Sequence, residues 1–431
     1  MQVVTGKELK GEVLDRFSRR GGVIEASIEG KVKEIVSAVK SRRDEALLEY
    51  TRKFDGVDLS GIGFRVEGRE VAEAYERLSE KELSALKKAA GNIKSFHEAQ
   101  LCNKLSIETV SGVQAGQLFR PLSTVGIYAP GGRAVYPSTV LMCSIPAKVA
   151  GVERLVLCSP PNKNGEINPA VLVAADIAGV DEVFKVGGAQ AVAAMAYGTE
   201  TIPKVDKIVG PGNVYVTAAK LLVSRDVAID LPAGPSEIVI IADDSANPEF
   251  VAYDMMAQAE HDPDSLVVLL TPSRELATKV NGLVEEASRK MTRASIIVPS
   301  ISRNGLIVLV EGFGEALNLV NRIAPEHLEI QTRDPESLLG EVRNAGAVFL
   351  GKYSPVAFGD YSAGTNHVLP TGGYARVYSG LSVMDFTKRI TFLKCSREGF
   401  ANLAEMTVTL ARLEGLEAHA LSVLVRKGEE V

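Results

Sequence analysis

Between residues 124 and 231, short apolar runs alternate with stretches at helical spacing, and this alternation leaves few folds open. Residues 124–129, 154–158, 182–186, 207–209 and 227–231 read as strands. Residues 168–179, 189–197 and 213–223 carry the helical period between them. Strands that are apolar throughout are buried on both faces, and an intervening helix is the crossover that parallel neighbours require. The pattern resumes at 238–242, with further strand candidates at 266–270, 295–298, 306–310, 327–330 and 347–350. A second α/β unit is therefore expected. Residues 27–54 read as one long charged helix and 70–102 as another helical region. From about Phe386 the chain reads as helical and amphipathic to its end, interrupted at Gly415. The fold class is α/β with a helical C-terminal tail.

Composition narrows the function. A chain of 431 residues is long for one core. Its 46% hydrophobic and 24% charged residues are those of a soluble globular protein. A formal charge of −6 argues against a nucleic-acid partner. No apolar run reaches the roughly 18 residues that span a bilayer, and residues 1–10 hold no apolar segment of a secretory signal. Cys102, Cys143, Cys158 and Cys395 form no C-x-x-C pair, which disfavours a disulfide framework and a thiolate zinc site. A cytoplasmic protein is expected.

Ligands of open α/β sheets bind at the carboxyl ends of strands, near helix N-termini. Three strand-to-helix turns are glycine-rich: Pro130-Gly-Gly132, Val186-Gly-Gly188 and Val209-Gly-Pro-Gly-Asn213. None is the G-x-G-x-x-G fingerprint, and each taken singly is ordinary turn geometry. Gln258 and His261 lie three residues apart, on one face if helical, although such a pair at a helix end is ordinarily solvated. Glu326 and His327 supply two proton-exchanging groups, but a regular strand would point them to opposite faces. Both serve one site only if Pro325 keeps the segment bent. The stretch Gly359-Asp360-Tyr-Ser-Ala-Gly364-Thr-Asn-His367 reads as a glycine-rich loop, and Glu414 and His419 flank the break at Gly415. His97, in a charged helix, reads as a surface residue. Two or three of the histidines with an Asp make an N/O donor set that suits zinc.

Several motifs in order resemble the L-histidinol dehydrogenase family. They are Tyr128-Ala-Pro-Gly-Gly132, Val186-Gly-Gly-Ala-Gln190, Lys207-Ile-Val-Gly-Pro-Gly-Asn213 and Asp230-Leu-Pro-Ala-Gly-Pro-Ser236-Glu. They continue with Gln258-Ala-Glu-His261, Pro325-Glu326-His327, Gly359-Asp360-Tyr, Gly364-Thr-Asn-His367 and Ala418-His419. The resemblance implies NAD-linked, zinc-dependent oxidation of an amino alcohol through the aldehyde to the acid. It implies Gln258, His261, Asp360 and His419 as zinc ligands and Glu326 and His327 as the acid–base pair. Ser236 and Glu414 join the zinc ligands and His327 around the substrate, while Tyr128, Gln190 and Asn213 lie along the NAD site. His367 has a supporting part near the substrate.

The resemblance also implies two incomplete Rossmann-like domains and an intertwined homodimer. The expected boundaries are an N-terminal helical arm over 1–24, a first domain of 25–127 with 237–381, and a second, NAD-side domain over 128–236. A tail over 382–431 carries Glu414 and His419 to the partner's site. Chemically, His327, neutral at pH 7, would take the hydroxyl proton, and Glu326 would activate water for attack on the aldehyde. Three alternatives stand beside this reading. One is a related zinc- and NAD-dependent dehydrogenase of another polyol or sulfonated diol, against which Glu414 and His419 argue. The others are a cofactor-free zinc hydrolase and a binding protein.

Overall fold

A computed structural model describes every residue except 7, 10–25, 103, 132–134, 232–233 and 428–431. Gly132, the Pro232-Ala233 step and most of the expected arm over 1–24 thus lie outside the described residues. The chain divides into two compact units. The larger comprises Met1–Gln100 and Leu122–Phe386, the smaller Leu101–Pro121 and Thr387–Val431.

The strands, in chain order, are β1 Gln2–Thr5, β2 Leu105–Val110, β3 Val113–Pro121, β4 Thr124–Tyr128 and β5 Arg154–Ser159. They continue with β6 Glu182–Lys185, β7 Lys207–Val209, β8 Ala228–Ile229, β9 Glu237–Ala242 and β10 Leu266–Thr271. The last are β11 Gly305–Leu309, β12 His327–Gln331, β13 Ala347–Leu350 and β14 Thr387–Cys395. Two parallel sheets make up the larger unit. One has the order β6-β5-β4-β7-β8 and the other β1-β11-β10-β9-β12-β13. From β4 in one and β9 in the other, the chain winds outward for three strands, then returns to the middle and winds the other way, while β1 adds to the outer edge beside β11. That reversal leaves a crevice between β4 and β7 in the first sheet and between β9 and β12 in the second.

Parallel strands need cover on both faces, and the helices supply it. β9 and β10 are buried at every position. The helix Pro137–Ala150 is apolar almost all round and buried from Thr139 to Ala147, as a helix packed on every side must be. Pro137 opens it at a position where the missing N–H costs nothing, and Gly151 closes it in the left-handed conformation.

Several expectations fail here. The helix read over 27–54 is two helices, Ala26–Arg42 and Asp44–Phe54, broken at Arg43, whose φ is 51°. The apolar period runs unbroken through the kink. The new first turn is instead held by Glu200, whose carboxylate accepts the Asp44 N–H at 3.1 Å. Residues 295–298, read as a strand and β-branched from Ile296 to Val298, lie in the helix Ala294–Asn304. Ile297, Ser300 and Ile301 form its buried stripe, so the helical period overrides strand propensity. Gln2–Thr5 of the expected helical arm is a strand paired in parallel with β11.

The smaller unit corrects the reading of the tail. Residues 387–395 are not helical but form β14, the outer strand of an antiparallel sheet with β3 and β2. A Cβ at Gly116 would collide with Leu105 O and the Phe392 ring, so that position admits only glycine. The helices Arg397–Leu413 and Glu417–Lys427 follow, separated by the left-handed Gly415. No helix among the described residues is long and apolar enough to cross a membrane.

Candidate active site

The acid–base candidates stand at the amino edge of the six-stranded sheet, where carboxyl ends were expected. Glu237 opens β9 and His327 opens β12, and His327 pairs with Ile238 across the parallel ladder. Crossover helices run antiparallel to their strands, so their C-terminal ends return to this amino edge. The helix Pro248–Ala259 brings Gln258 back in this way, with His261 in the turn just beyond.

The bend expected from Pro325 is made one residue earlier. Ala324 ends the helix Phe313–Ile323 in the left-handed conformation, with φ 51°, and is fully buried. Such a φ in a residue with a Cβ costs about 1–2 kcal/mol. It turns the chain so that Glu326 precedes the strand instead of alternating within it. Glu326 Oε2 then lies 3.5 Å from His327 Nδ1 and accepts the Glu237 N–H at 2.9 Å. His327 Nδ1 donates to the Glu237 carbonyl at 3.0 Å, which leaves Nε2 as the open nitrogen. That Nε2 is buried, has no hydrogen-bond partner and faces Asp360 Oδ1 at 3.7 Å.

Electrostatics modify the expected protonation. Burial disfavours charge on His327, but the carboxylates of Glu326 and Asp360 outweigh it and raise the imidazole to about 9. The imidazole expected to be neutral is thus held as imidazolium when only these carboxylates face it. Burial raises Glu326 as well, with His327 opposing. Asp360 is lowered: burial opposes ionisation, and the imidazoles of His327, His367 and His261 overcome it. Burial lowers His261 and His367, which favours neutral rings with a free lone pair.

Asp360 does not sit in a loop, as its glycines suggest, but in the short helix Val356–Tyr361. Six residues are too few for a periodic signal. His367 follows it, with Nδ1 on the Asp360 carbonyl at 2.8 Å and Nε2 3.3 Å from Thr139 Oγ1. Gln258 is 2% exposed, and its Nε2 lacks a hydrogen-bond partner. A buried amide end with no partner is costly unless something else binds there, and the oxygen and nitrogen ends exchange by a simple flip. Beside His261 opens a cavity of about 340 Å³, lined also by Tyr136, Ser138, Glu260, Arg293 and Tyr361. Ser236, half-buried, immediately precedes Glu237.

The larger unit therefore brings together His261, Asp360, His327, Glu326 and His367, with Gln258 at the same helix end as His261. Glu414 and His419 belong to the smaller unit and are exposed there. Among the described residues, no three His, Cys, Asp or Glu side chains form a metal-sized group. The amide of Gln258, the imidazole of His261 and the ionised Asp360 are nonetheless N/O donors of the type a borderline cation accepts.

The cofactor-side candidates gather at the carboxyl edge of the five-stranded sheet. Tyr128 ends β4, and its hydroxyl accepts the Gly188 N–H at 3.0 Å. Gln190 is buried in the helix Gly188–Tyr197, with Oε1 lacking a hydrogen-bond partner. Asn213 caps the helix Val214–Val223, accepting the Tyr215 and Val216 N–H groups, so its amide nitrogen remains for a ligand. Gly210, with φ 116°, lies against the Tyr128 carbonyl where a Cβ could not fit. The buried Lys220 and Asp230 hold this turn through its carbonyl and N–H. These residues meet the requirements of an extended polar ligand at a topological switch point.

One residue was misjudged from sequence. His97 is not on the surface but fully buried, with Nδ1 donating to Ile93 O at 2.7 Å. Its Nε2 accepts from the Asn366 amide at 3.3 Å, one residue before His367. Glu98 and Lys94 beside it made the helix look solvated, and no local signal gives the orientation of His97. Replacing His97 by Ala would remove the Asn366 acceptor and is expected to cost about 1–3 kcal/mol. A shifted urea midpoint would register this, and an unchanged midpoint would contradict it.

A sequence model of the histidinol dehydrogenase family matches residues 18–427. A histidinol dehydrogenase from Methanothermobacter thermautotrophicus is 54% identical over 91% of the chain and 92% of its own length. One from Methanocaldococcus jannaschii is 48% identical over 97% of the chain and 96% of its length. The crystal structure of histidinol dehydrogenase from Elizabethkingia anophelis superposes with a TM-score of 0.94 at 41% identity. That match covers 99% of this chain and 97% of the other.

Proposed function

The chain belongs to the histidinol dehydrogenase family, and from that premise we propose that it oxidises L-histidinol to L-histidine through L-histidinaldehyde, in histidine biosynthesis. The observation that carries this reading is the open, buried Nε2 of His327, facing Asp360 on a ring whose Nδ1 lies beside Glu326, at the edge that also bears Gln258 and His261. Gln258, His261 and Asp360 would hold zinc, with His419 as the fourth ligand. Tyr128, Gln190 and Asn213 would line NAD. When bound, zinc would fix the imidazole and amine nitrogens of the substrate, and NAD would take hydride from its carbinol carbon.

The remaining work belongs to the side chains. His327, held by its Nδ1 bond to the Glu237 carbonyl, presents Nε2 to the substrate hydroxyl and removes its proton once the ring is neutral. A cation on Asp360 would oppose the imidazolium that the bare carboxylates favour. Glu326 takes a proton from water as that water adds to the aldehyde, and the resulting hydrate is the substrate of the second oxidation. Ser236, His367 and Glu414 orient the bound substrate. Exposed apolar side chains in the smaller unit, such as Leu393 at 67% and Leu413 at 77%, support pairing with a second copy. In that homodimer the tail would supply Glu414 and His419 to the neighbouring site.

Purified protein with zinc, NAD and limiting L-histidinol is expected to yield about two NADH per histidinol. One NADH would indicate a simple alcohol dehydrogenase. None would overturn the reading in favour of a hydrolase or binding protein.

A further inference from the structure

A buried polar network touches each of the elements that carry Gln258, His327 and Asp360. Gln331 Nε2 donates to Asp254 Oδ2 at 2.9 Å and to Glu329 Oε2 at 3.0 Å. The other Glu329 oxygen, Oε1, accepts the Val356 N–H at 3.0 Å. Gln331 Nε2 thus bridges the carboxyl groups of Asp254 and Glu329. Two carboxyl groups gathered on one donor in the interior disfavour double ionisation. Burial raises both, which favours the protonated pair.

The positions explain what such a network can do. Asp254 lies one turn before Gln258 on the helix Pro248–Ala259 and so shares its face. Glu329 lies two residues after His327 on β12, on the same side of the strand. Val356 opens the helix Val356–Tyr361, whose fifth residue is Asp360. Glu329 is 1% exposed and Gln331 4%, and apolar side chains of similar volume would fill the space without burying two acids. Hydrogen bonds add what packing lacks, a fixed register between helix and strand.

We propose that Glu329 is a positioning residue for the metal-ligand set. It fixes the helix of Asp360 to the strand of His327 and, through Asp254, aligns the helix of Gln258. This inference rests on the zinc reading given above. Outer contacts that orient metal ligands typically contribute 10–100-fold to metal affinity. The test is a zinc titration of metal-free protein against a chromophoric chelator, with melting temperatures measured in parallel. Glu329→Ala is expected to weaken zinc binding about 10–100-fold. Glu329→Gln keeps the acceptor for the Val356 N–H but turns a donor toward Gln331 Nε2, and is expected to recover part of the affinity.

A lowered melting temperature with unchanged zinc affinity would mean a purely structural role and would overturn the proposal. Should Glu329→Ala fail to fold, Asp254→Asn provides the same comparison, since it weakens only the link to the helix of Gln258. If the unmodified chain takes up no zinc, the metal reading fails, and this inference falls with it. Unchanged affinity in the variants sinks the inference alone.

Discussion

Replacing His327 by Asn is expected to lower kcat for histidinol about 10²–10⁴-fold, the usual contribution of a positioned general base. Asn can still donate toward the Glu237 carbonyl, so the fold at the start of β12 should survive. What it cannot do is take a proton. Substrate binding should change less than kcat, because the proposed zinc ligands stay in place while one contact to the hydroxyl is lost. Glu326→Gln should behave differently. It keeps an acceptor for the Glu237 N–H but cannot take a proton from water. The first oxidation should therefore be spared more than the second, and aldehyde should accumulate in single-turnover experiments. Equal loss of both steps would mean that Glu326 supports His327 instead of activating water. A wild-type rate for His327→Asn would remove the imidazole from the chemistry altogether.

The second large effect concerns sharing of sites between subunits. His261→Asn and His419→Asn should each abolish zinc binding and activity. When the two inactive proteins are dissociated and reassociated together, activity should return to about a quarter of wild type. Random pairing makes half the dimers mixed. Each mixed dimer then holds one site with both histidines intact and one with neither. A mixture that stays inactive after proven exchange of subunits would place both ligands in the same chain. The measurement is zinc content with NADH production before and after reassociation.

Parts of this chemistry were visible in the residues and parts were not. The apolar strands that build both parallel sheets, such as β9 and β10, were plain because two-sided burial leaves an unbroken apolar run. The strands β2, β3 and β14 lack that signal because β2 and β14 are largely exposed, none of the three carries an unbroken apolar run, and β14 pairs with β3, far away in sequence. The zinc and acid–base candidates were named through motif order, not through any local pattern. Gln258 and His261 alone resemble a solvated helix terminus.

The sequence by itself determined that the chain winds into parallel α/β sheets, since the period of its apolar residues is a local property that packing must respect. It also contained the motifs, in an order specific enough to identify the family. Tertiary structure decided which edge of the sheet they occupy. Gln258 returns to the amino edge with the end of its helix, and the left-handed Ala324 turns Glu326 toward His327. It also decided their charge, because the approach of Glu326 and Asp360 outweighs burial and raises an imidazole that would otherwise be neutral. Distances between residues far apart in the chain set both outcomes, and no sequence window contains those distances.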